Sequence, residues 1–506
     1  MYRQIRTAPR GGQLDAVAVV LFEKTGRLPK GYDRLDRQVD GALSAAIRRP
    51  EFSAAQGTVT CLYPAKGPSR VHVLGLGTRE RFNRGLALRV AAARLARVAH
   101  KAALRGVRLA LGPGLGESID PEAAGRAVAD GLAIANFEFD EFKGAAGLST
   151  GPSRHRQPAR LGITIDSAML KGLKRGLEIG ESVNLARYLG ATPPNVANPA
   201  WLVSACRRMA RRVGLRCTII DHRRAARLKM GGLLAVGAAG SKPPALICLE
   251  WPGRGKGRRP GGSKPNPILL VGKAVTFDTG GYSIKPAAGM DTMKYDKCGG
   301  MAVIGAMHAA ARLKLPVRVV GLVPTAENMI DEKGYRPSDI LRLCNGTTVE
   351  VTNTDAEGRL ILGDALAYGC KTYKPKAVID LATLTGGVVV ALGTLCAGAF
   401  CNDERLRGHL FDAADYTGER LWQLPLWEEH KSLLKSTHAD IVNSGGREAH
   451  PIQGAAFLWH FVDPKIPWAH LDIAGVSDVK NPTDLFPKGP TGFGVRLLTR
   501  ALETWK

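Results

Sequence analysis

"ILLVGKAVTFDTGGYSIKPAAGMDTMKYDKCGG" runs from Ile268 to Gly300. It opens on an apolar run that is short and closed by glycine, the pattern of a buried strand. Lys273, Asp278, Lys285, Asp291 and Asp296 follow among glycines. These side chains emerge at the carboxyl end of the strand, where open α/β sheets place their ligands. Gly280, Gly281, Gly299 and Gly300 allow close backbone approach. They do not form a phosphate cradle, because neither G-x-x-x-x-G-K-[ST] nor G-x-G-x-x-G follows the strand. Any one of these charges alone reads as an exposed turn residue. Together, in two glycine-rich blocks, they point to a polar site.

The fold reading extends outward from that strand. "ALICLEW" precedes it, across a polar loop, "PGRGKGRRPGGSKPNP" (Pro252–Pro267). Downstream, "AVIGAMHAAARL", "VRVVGLVP", "ILGDALAYGCKTY" and "AVIDLATLTGG" alternate between helical and strand-like patterns. Such alternation argues for a largely parallel sheet covered by helices. Upstream, residues 15–22 and 71–77 read as buried strands. Leu86–Leu104 and Gly125–Phe139 carry apolar residues at helical spacing. The expected fold class is α/β: a small N-terminal α/β domain and a larger C-terminal domain with a mostly parallel, helix-covered sheet. The basic, proline-containing "STGPSRHRQPAR" (Ser149–Arg160) reads as a surface loop. A helix then ends near Gly190, with Pro193 and Pro194 beyond it. The expected boundaries are residues 1–168 for the first domain, 169–190 for a linking helix and 191–506 for the second domain.

Composition bounds the function. Of 506 residues, 45% are hydrophobic and 23% charged, the mix of a soluble globular protein. The nine cysteines form no C-x-x-C pair and read as reduced thiols of a cytoplasmic protein. No apolar run has membrane-spanning length, so no membrane partner is expected. The run Ala16–Phe22 is short and lacks a small-residue cleavage site, so it reads as a first strand and secretion is not expected. The net charge of +26 is spread along the chain, with a local peak in Cys206–Lys229. A basic soluble surface is the ordinary reading. Nucleic acid is the sharper one, through phosphate attraction, and no zinc-finger or RNP-like motif supports it.

A second block, "NTDAEGRL" (Asn353–Leu360), carries Asp355, Glu357 and Arg359 at alternate positions. On an extended segment these would share one face. Gly358 would then turn the chain into a helix beginning at Leu360. Neighbouring carboxylates repel unless a positive charge sits between them. A metal cation is one answer and Arg359 in a surface network is another. The octapeptide alone leaves both open, and the glycine-rich block upstream favours the metal.

The motifs "VGKAVTFDTGGYSIKP", "MKYDKCGG" and "NTDAEGRLILGDAL" resemble the leucyl aminopeptidases, the M17 cytosol aminopeptidase family. The resemblance extends to "TPPN" (Thr192–Asn195), "DLATLTGG" (Asp380–Gly387), "PWAHLDIAG" (Pro467–Gly475) and "TGFGVRLL" (Thr491–Leu498), covering about residues 180–500. It implies a two-metal aminopeptidase that releases N-terminal residues from peptides. By that resemblance Asp278 and Glu357 bridge both ions, and Asp355 completes the more exchangeable position. Lys273 and Asp296 complete the tighter one. Lys285 contacts the substrate carbonyl and the oxyanion it becomes, and Arg359 holds a bicarbonate acting as general base. Thr383, Leu384 and Gly386 line the substrate cleft, and Met293 the pocket for the first side chain. The family also implies a homohexamer, a dimer of trimers with catalytic domains central.

Elementary chemistry agrees with those roles. Two ions about 3.5–4 Å apart polarise a scissile carbonyl and acidify a water. The oxygen-rich set accepts Mn²⁺ or Zn²⁺, with Mg²⁺ and Co²⁺ as alternatives. Lys273 must be neutral to bind a cation, which for an ordinary lysine at pH 7 costs about 4.6 kcal/mol. Metal binding can supply this, since ligand deprotonation and binding are linked.

Other features are set aside. There is no HExxH and no G-x-S-x-G. His438, His450, His460 and His470 read as surface or core residues, Cys298 as a buried small residue, and Asp291 as a turn residue. His450, Pro451 and Gln453 depart from the family's usual small-residue run, and Tyr282 and Lys297 are also atypical. Two other classes compete: a different two-metal hydrolase such as a phosphoesterase, which ordinarily uses more histidine ligands, and a DNA-binding role.

Overall fold

The computed structural model describes residues 4–8, 14–80, 83–116, 119–144, 160–254 and 265–505. The expected loops at Ser149–Arg160 and Pro252–Pro267 lie mostly outside the described residues. The chain divides into two compact units, Met1–Asn184 with Lys480–Lys488, and Leu185–Val479 with Gly489–Lys506. The division falls inside one helix, Leu170–Ala191.

The first unit is built on a six-stranded sheet. Its order is Gln4–Thr7, Arg160–Ile165, Gly106–Ala110, Ala16–Leu21, Val71–Gly75 and Val59–Leu62. All neighbours are parallel except the last pair. Ala16–Leu21 is buried throughout, as its unbroken apolar run requires. Two helices, Arg84–Lys101 and Pro121–Ala135, pack together. Each begins on a side-chain cap: Asn83 accepts from Leu86 N and Asp120 from Ala123 N. Gly131 permits their close approach, since a Cβ there would lie 2.1 Å from the Arg89 carbonyl oxygen.

The second unit holds a nine-stranded sheet whose centre is parallel. Trp468–Asp472, Ala377–Ala382, Ile268–Gly272 and Val319–Asn328 run side by side in that order. Ala245–Trp251 and Arg216–Ile220 add antiparallel strands beyond Val319–Asn328. Ala397–Cys401 adds one beyond Trp468–Asp472, with Leu421–Gln423 parallel to it. Leu269, Val271, Val320, Leu322 and Val378 are fully buried in one core. Helices Cys298–Arg312 and Glu357–Tyr373 pack on the central strands.

Two local features differ from expectation, and both shape the site. After Gly272 the chain does not leave the sheet. Lys273 breaks the strand, and Ala274–Asp278 resumes it against the far half of Val319–Asn328. The break is pinned by backbone bonds, Lys273 N donating to Leu381 O at 3.1 Å and Gly300 N to Lys273 O at 2.6 Å. Second, Asp355–Arg359 is not extended. The Asn353 side chain accepts from Asp355 N at 2.8 Å in a tight turn, and the helix begins at Glu357 rather than Leu360. Asparagine at the head of a turn favours this geometry over a strand.

Candidate active site

Three segments converge at the carboxyl ends of the central strands. The strand break supplies Lys273. Its Nζ lies 2.8 Å from Asp296 Oδ1, 2.8 Å from Glu357 Oε1 and 2.8 Å from the Thr383 carbonyl oxygen. Gly358 is needed for this approach. Rather than turning the chain, it lies in the first helical turn, where a Cβ would sit 2.6 Å from Lys273 Cε and 2.7 Å from its Nζ.

Asp278 ends the resumed strand. Its Oδ1 accepts from Gly280 N and Asn328 Nδ2, both at 2.8 Å, and its Oδ2 faces Lys285 Nζ at 2.8 Å. Gly280 and Gly281 have φ of +86° and +64°, a conformation that side chains with a Cβ rarely adopt. This double turn returns the chain so that Lys285 N reaches Thr279 O at 2.9 Å and the ammonium also contacts Asp355. Asp296 closes the short helical turn Met290–Tyr295. Its Oδ1 accepts from Thr383 Oγ1 at 2.7 Å, while its buried Oδ2 has no hydrogen-bond partner among the described residues.

Asp278, Asp355 and Glu357 each offer one oxygen, all within 4.8 Å of one another. Among the described residues, four carboxylates are thus met at contact distance by only two ammonium groups, Lys273 and Lys285. This imbalance, with the unpartnered Asp296 oxygen, fits divalent cations held by hard oxygen donors.

The electrostatics express the same crowding. Burial, then Glu357, pushes Asp278 up to about 6 against the pull of the two lysines. Burial likewise raises Asp296 and Asp355. Glu357 goes the other way, because Lys273 and Lys285 outweigh its burial. Lys273 is raised although burial opposes it, since Asp296, Glu357 and Asp278 together prevail.

Arg359 makes no ion pair with the cage carboxylates among the described residues, although the negative charges of Glu357, Asp472 and Asp355 act on it. It is buried, donates through Nη1 to Asn443 O at 2.7 Å, and its Nε has no hydrogen-bond partner among the described residues. Burial lowers it to about 10, still a cation at neutral pH.

The substrate-cleft candidates fall in two places. Thr383, Leu384 and Gly386 lead from strand Ala377–Ala382 into helix Gly386–Leu392, and Met293 is half-buried on Met290–Tyr295. A cavity of about 510 Å³, lined by Ser283, Thr352, Asn353, Ser444, Gly446, Arg447 and His450, borders the segments carrying Lys285 and Asp355.

Of the residues set aside, Asp291 and His438 are exposed. His470 is fully buried against Asp380 at 2.6 Å. Cys298 is buried, and burial pushes its thiol up to about 12, which makes it inert. His450 lines the cavity instead of lying idle on the surface. Gln453 is buried and braces the cavity loop, accepting from Gly445 N at 2.9 Å and donating to Glu448 O at 2.5 Å.

Sequence reasoning missed the residues that hold the site in shape. Asn328 bridges Asp278 to the Thr354 carbonyl at 3.1 Å, and the Tyr335 hydroxyl donates to that carbonyl at 2.6 Å. Asn443 joins Arg359 to Thr352 and Asn353. Only the "NS" of Asn443–Ser444, polar residues directly after an apolar pair, signalled anything locally.

Comparison with known proteins accounts for this arrangement. The N-terminal domain of the cytosol aminopeptidase family matches residues 18–145, and the family's catalytic domain matches residues 184–499. A probable cytosol aminopeptidase of Syntrophotalea carbinolica is 41% identical over 476 residues, 93% of each chain. Another, of Chlorobaculum parvum, is 40% identical over 523 residues, 99% of each chain. Among solved structures, the bottromycin maturation enzyme BotP in complex with Mn has a TM-score of 0.85 at 33% identity, covering 97% of this chain and 99% of that one. Neither a phosphoesterase nor a dedicated DNA-binding reading is favoured by these relatives. With its carboxylate cage inside the matched catalytic domain, the chain belongs to the cytosol aminopeptidase family, a family of metal-dependent peptidases.

Proposed function

We propose that this chain is a cytoplasmic, leucyl-type aminopeptidase that uses two metal ions to release N-terminal residues from peptides. The cage carries the reading: Asp278, Asp355 and Glu357 converge, with Lys273 and Asp296 buried behind them and Lys285 at the rim. Two divalent ions, when bound, would polarise the scissile carbonyl and acidify a water. Asp278 and Glu357 would hold both ions, Asp355 the more exchangeable one, and Lys273 with Asp296 the tighter one. The manganese of the BotP complex makes Mn²⁺ the first ion to test, with Zn²⁺ next.

The chain's own residues do the remaining work. Lys285 would present its charge to the developing oxyanion. Met293, Thr383, Leu384 and Gly386 would receive the first residue. The cavity lined by Ser283 and Asn353 would take the residues after the scissile bond. Residues 191–506 would be the catalytic domain and 1–168 the accessory one. The hexameric assembly rests on the resemblance alone. The decisive substrate feature would be a free amine. Amino-acid p-nitroanilides should therefore be hydrolysed by the metal-loaded protein while their N-acetyl counterparts resist. Equal rates on both would overturn the exopeptidase reading.

Arg359 would hold bicarbonate as the general base. It is a buried guanidinium with an unused Nε and no carboxylate at ion-pair distance among the described residues. A guanidinium at the start of a helix binds oxyanions well. Bicarbonate is expected to accelerate the parent and to leave Arg359→Ala unchanged. An equal response in both proteins would remove this role.

A further inference from the structure

Strands Ala377–Ala382 and Trp468–Asp472 run parallel, with Asp380 opposite His470 and Ala382 opposite Asp472. Just beyond Ala382, Thr383 makes two contacts into the cage. Its carbonyl accepts from Lys273 Nζ at 2.8 Å, and its hydroxyl donates to Asp296 Oδ1 at 2.7 Å. The next two residues are anchored from the neighbouring strand. Leu384 N donates to Asp472 Oδ1 at 3.1 Å, and Thr385 Oγ1 to Asp472 Oδ2 at 2.7 Å. Ala474 N adds a third bond to Asp472 Oδ1 at 3.2 Å. Thr385 in turn caps helix Gly386–Leu392, accepting from Val388 N at 3.2 Å. Asp472 is fully buried and both its oxygens are engaged.

We infer that Asp472 is a positioning residue for one of the two metal positions. Its carboxylate clamps the Thr383–Thr385 turn, and that turn orients the Lys273 amine and the Asp296 carboxylate. The inference rests on the reading of Lys273 and Asp296 as ligands of the tighter ion. A lysine amine on a four-carbon stem has many orientations, and only one aims its lone pair at an ion. The Thr383 carbonyl selects that orientation by accepting one of its N–H groups. Support of this kind, one step removed from the ion, is worth about 10–100-fold in metal affinity when lost. Among the described residues Asp278 and Asp355 are held by Gly280, Asn328 and Asn353, and Glu357 meets Lys273. None of these three acidic residues bonds to this turn directly, so the other position should feel little of its loss.

The test uses Asp472→Asn, Thr385→Val and Thr385→Ser. Asparagine keeps one acceptor oxygen and replaces the other with an amide NH2, which can only donate. Valine keeps the volume of threonine but loses the hydroxyl, whereas serine retains it. Each full-length, metal-stripped protein is titrated calorimetrically with Mn²⁺ alone, without substrate. The parent should show two binding phases. Asp472→Asn and Thr385→Val should weaken one phase by about 10–100-fold and leave the other unchanged, and Thr385→Ser should restore it. Parent-like binding of both ions in Thr385→Val, or equal weakening of both phases, would overturn the clamp while leaving the two-metal reading intact. A parent that binds no Mn²⁺ would overturn that reading and the clamp with it. Thr385→Val keeps the test decisive should Asp472→Asn fail to fold.

Discussion

Lys285→Ala should lower kcat by about 10²–10³ and change KM far less, with metal content preserved. The side chain of Lys285 is 20% exposed, against 3% for Lys273, so it is the ammonium that a substrate can reach. It is held at the rim by the Gly280–Gly281 double turn and by the bond from its own backbone N to Thr279 O. A charge fixed beside a scissile carbonyl interacts weakly with the neutral ground state and strongly with the oxyanion. Such an interaction appears in kcat rather than in substrate binding. Metal loss would not mimic this result. Removing a cation from beside Asp278 and Asp355 strengthens their attraction for divalent ions. The check is a kcat and KM determination on an amino-acid p-nitroanilide, with bound metal measured in the same samples. A raised KM with unchanged kcat would assign Lys285 to substrate binding only.

The parts of the fold legible in the sequence were those with strong local patterns. "ALICLEW" and "ILLVG" are strands with the expected ends, and Asp278 does close a strand at the sheet's carboxyl edge. The second half of that strand was not legible. Ala274–Asp278 follows the Lys273 break and lies between Gly272 and Gly280, so it reads as a loop until its partner Val319–Asn328 is in place. The alternation of Asp355, Glu357 and Arg359 suggested a strand period, yet the Asn353 turn and the helix starting at Glu357 override it. That difference matters, because in the helix Arg359 is buried and bonded to Asn443 instead of joining a surface network with the carboxylates. The identities of the site residues lay within two short motifs. Their supports did not: Thr383 lies 87 residues from Asp296, and Asp472 a further 87 from Thr385. Contacts made by parallel strands joined through long crossovers leave no local periodicity to read.

Removing the metal should have the largest effect of all. The stripped chain holds four carboxylates against two lysines, so it keeps its charge pattern but lacks the group that polarises the substrate. Hydrolysis should fall to the background rate. Recovery should also depend on pH in a definite direction. In the metal-free chain burial lowers the Lys273 amine, but Asp296, Glu357 and Asp278 outweigh it and keep the proton on. Uptake of an ion must displace that proton, so metal affinity should rise with pH.

The most direct measurement is a titration of the metal-stripped protein with Mn²⁺, following hydrolysis of leucine p-nitroanilide at each addition. The two-metal account predicts no activity without the ion and full activity only after about two equivalents per chain. Undiminished hydrolysis by the stripped protein, or no hydrolysis at any level of Mn²⁺ or Zn²⁺, would contradict it.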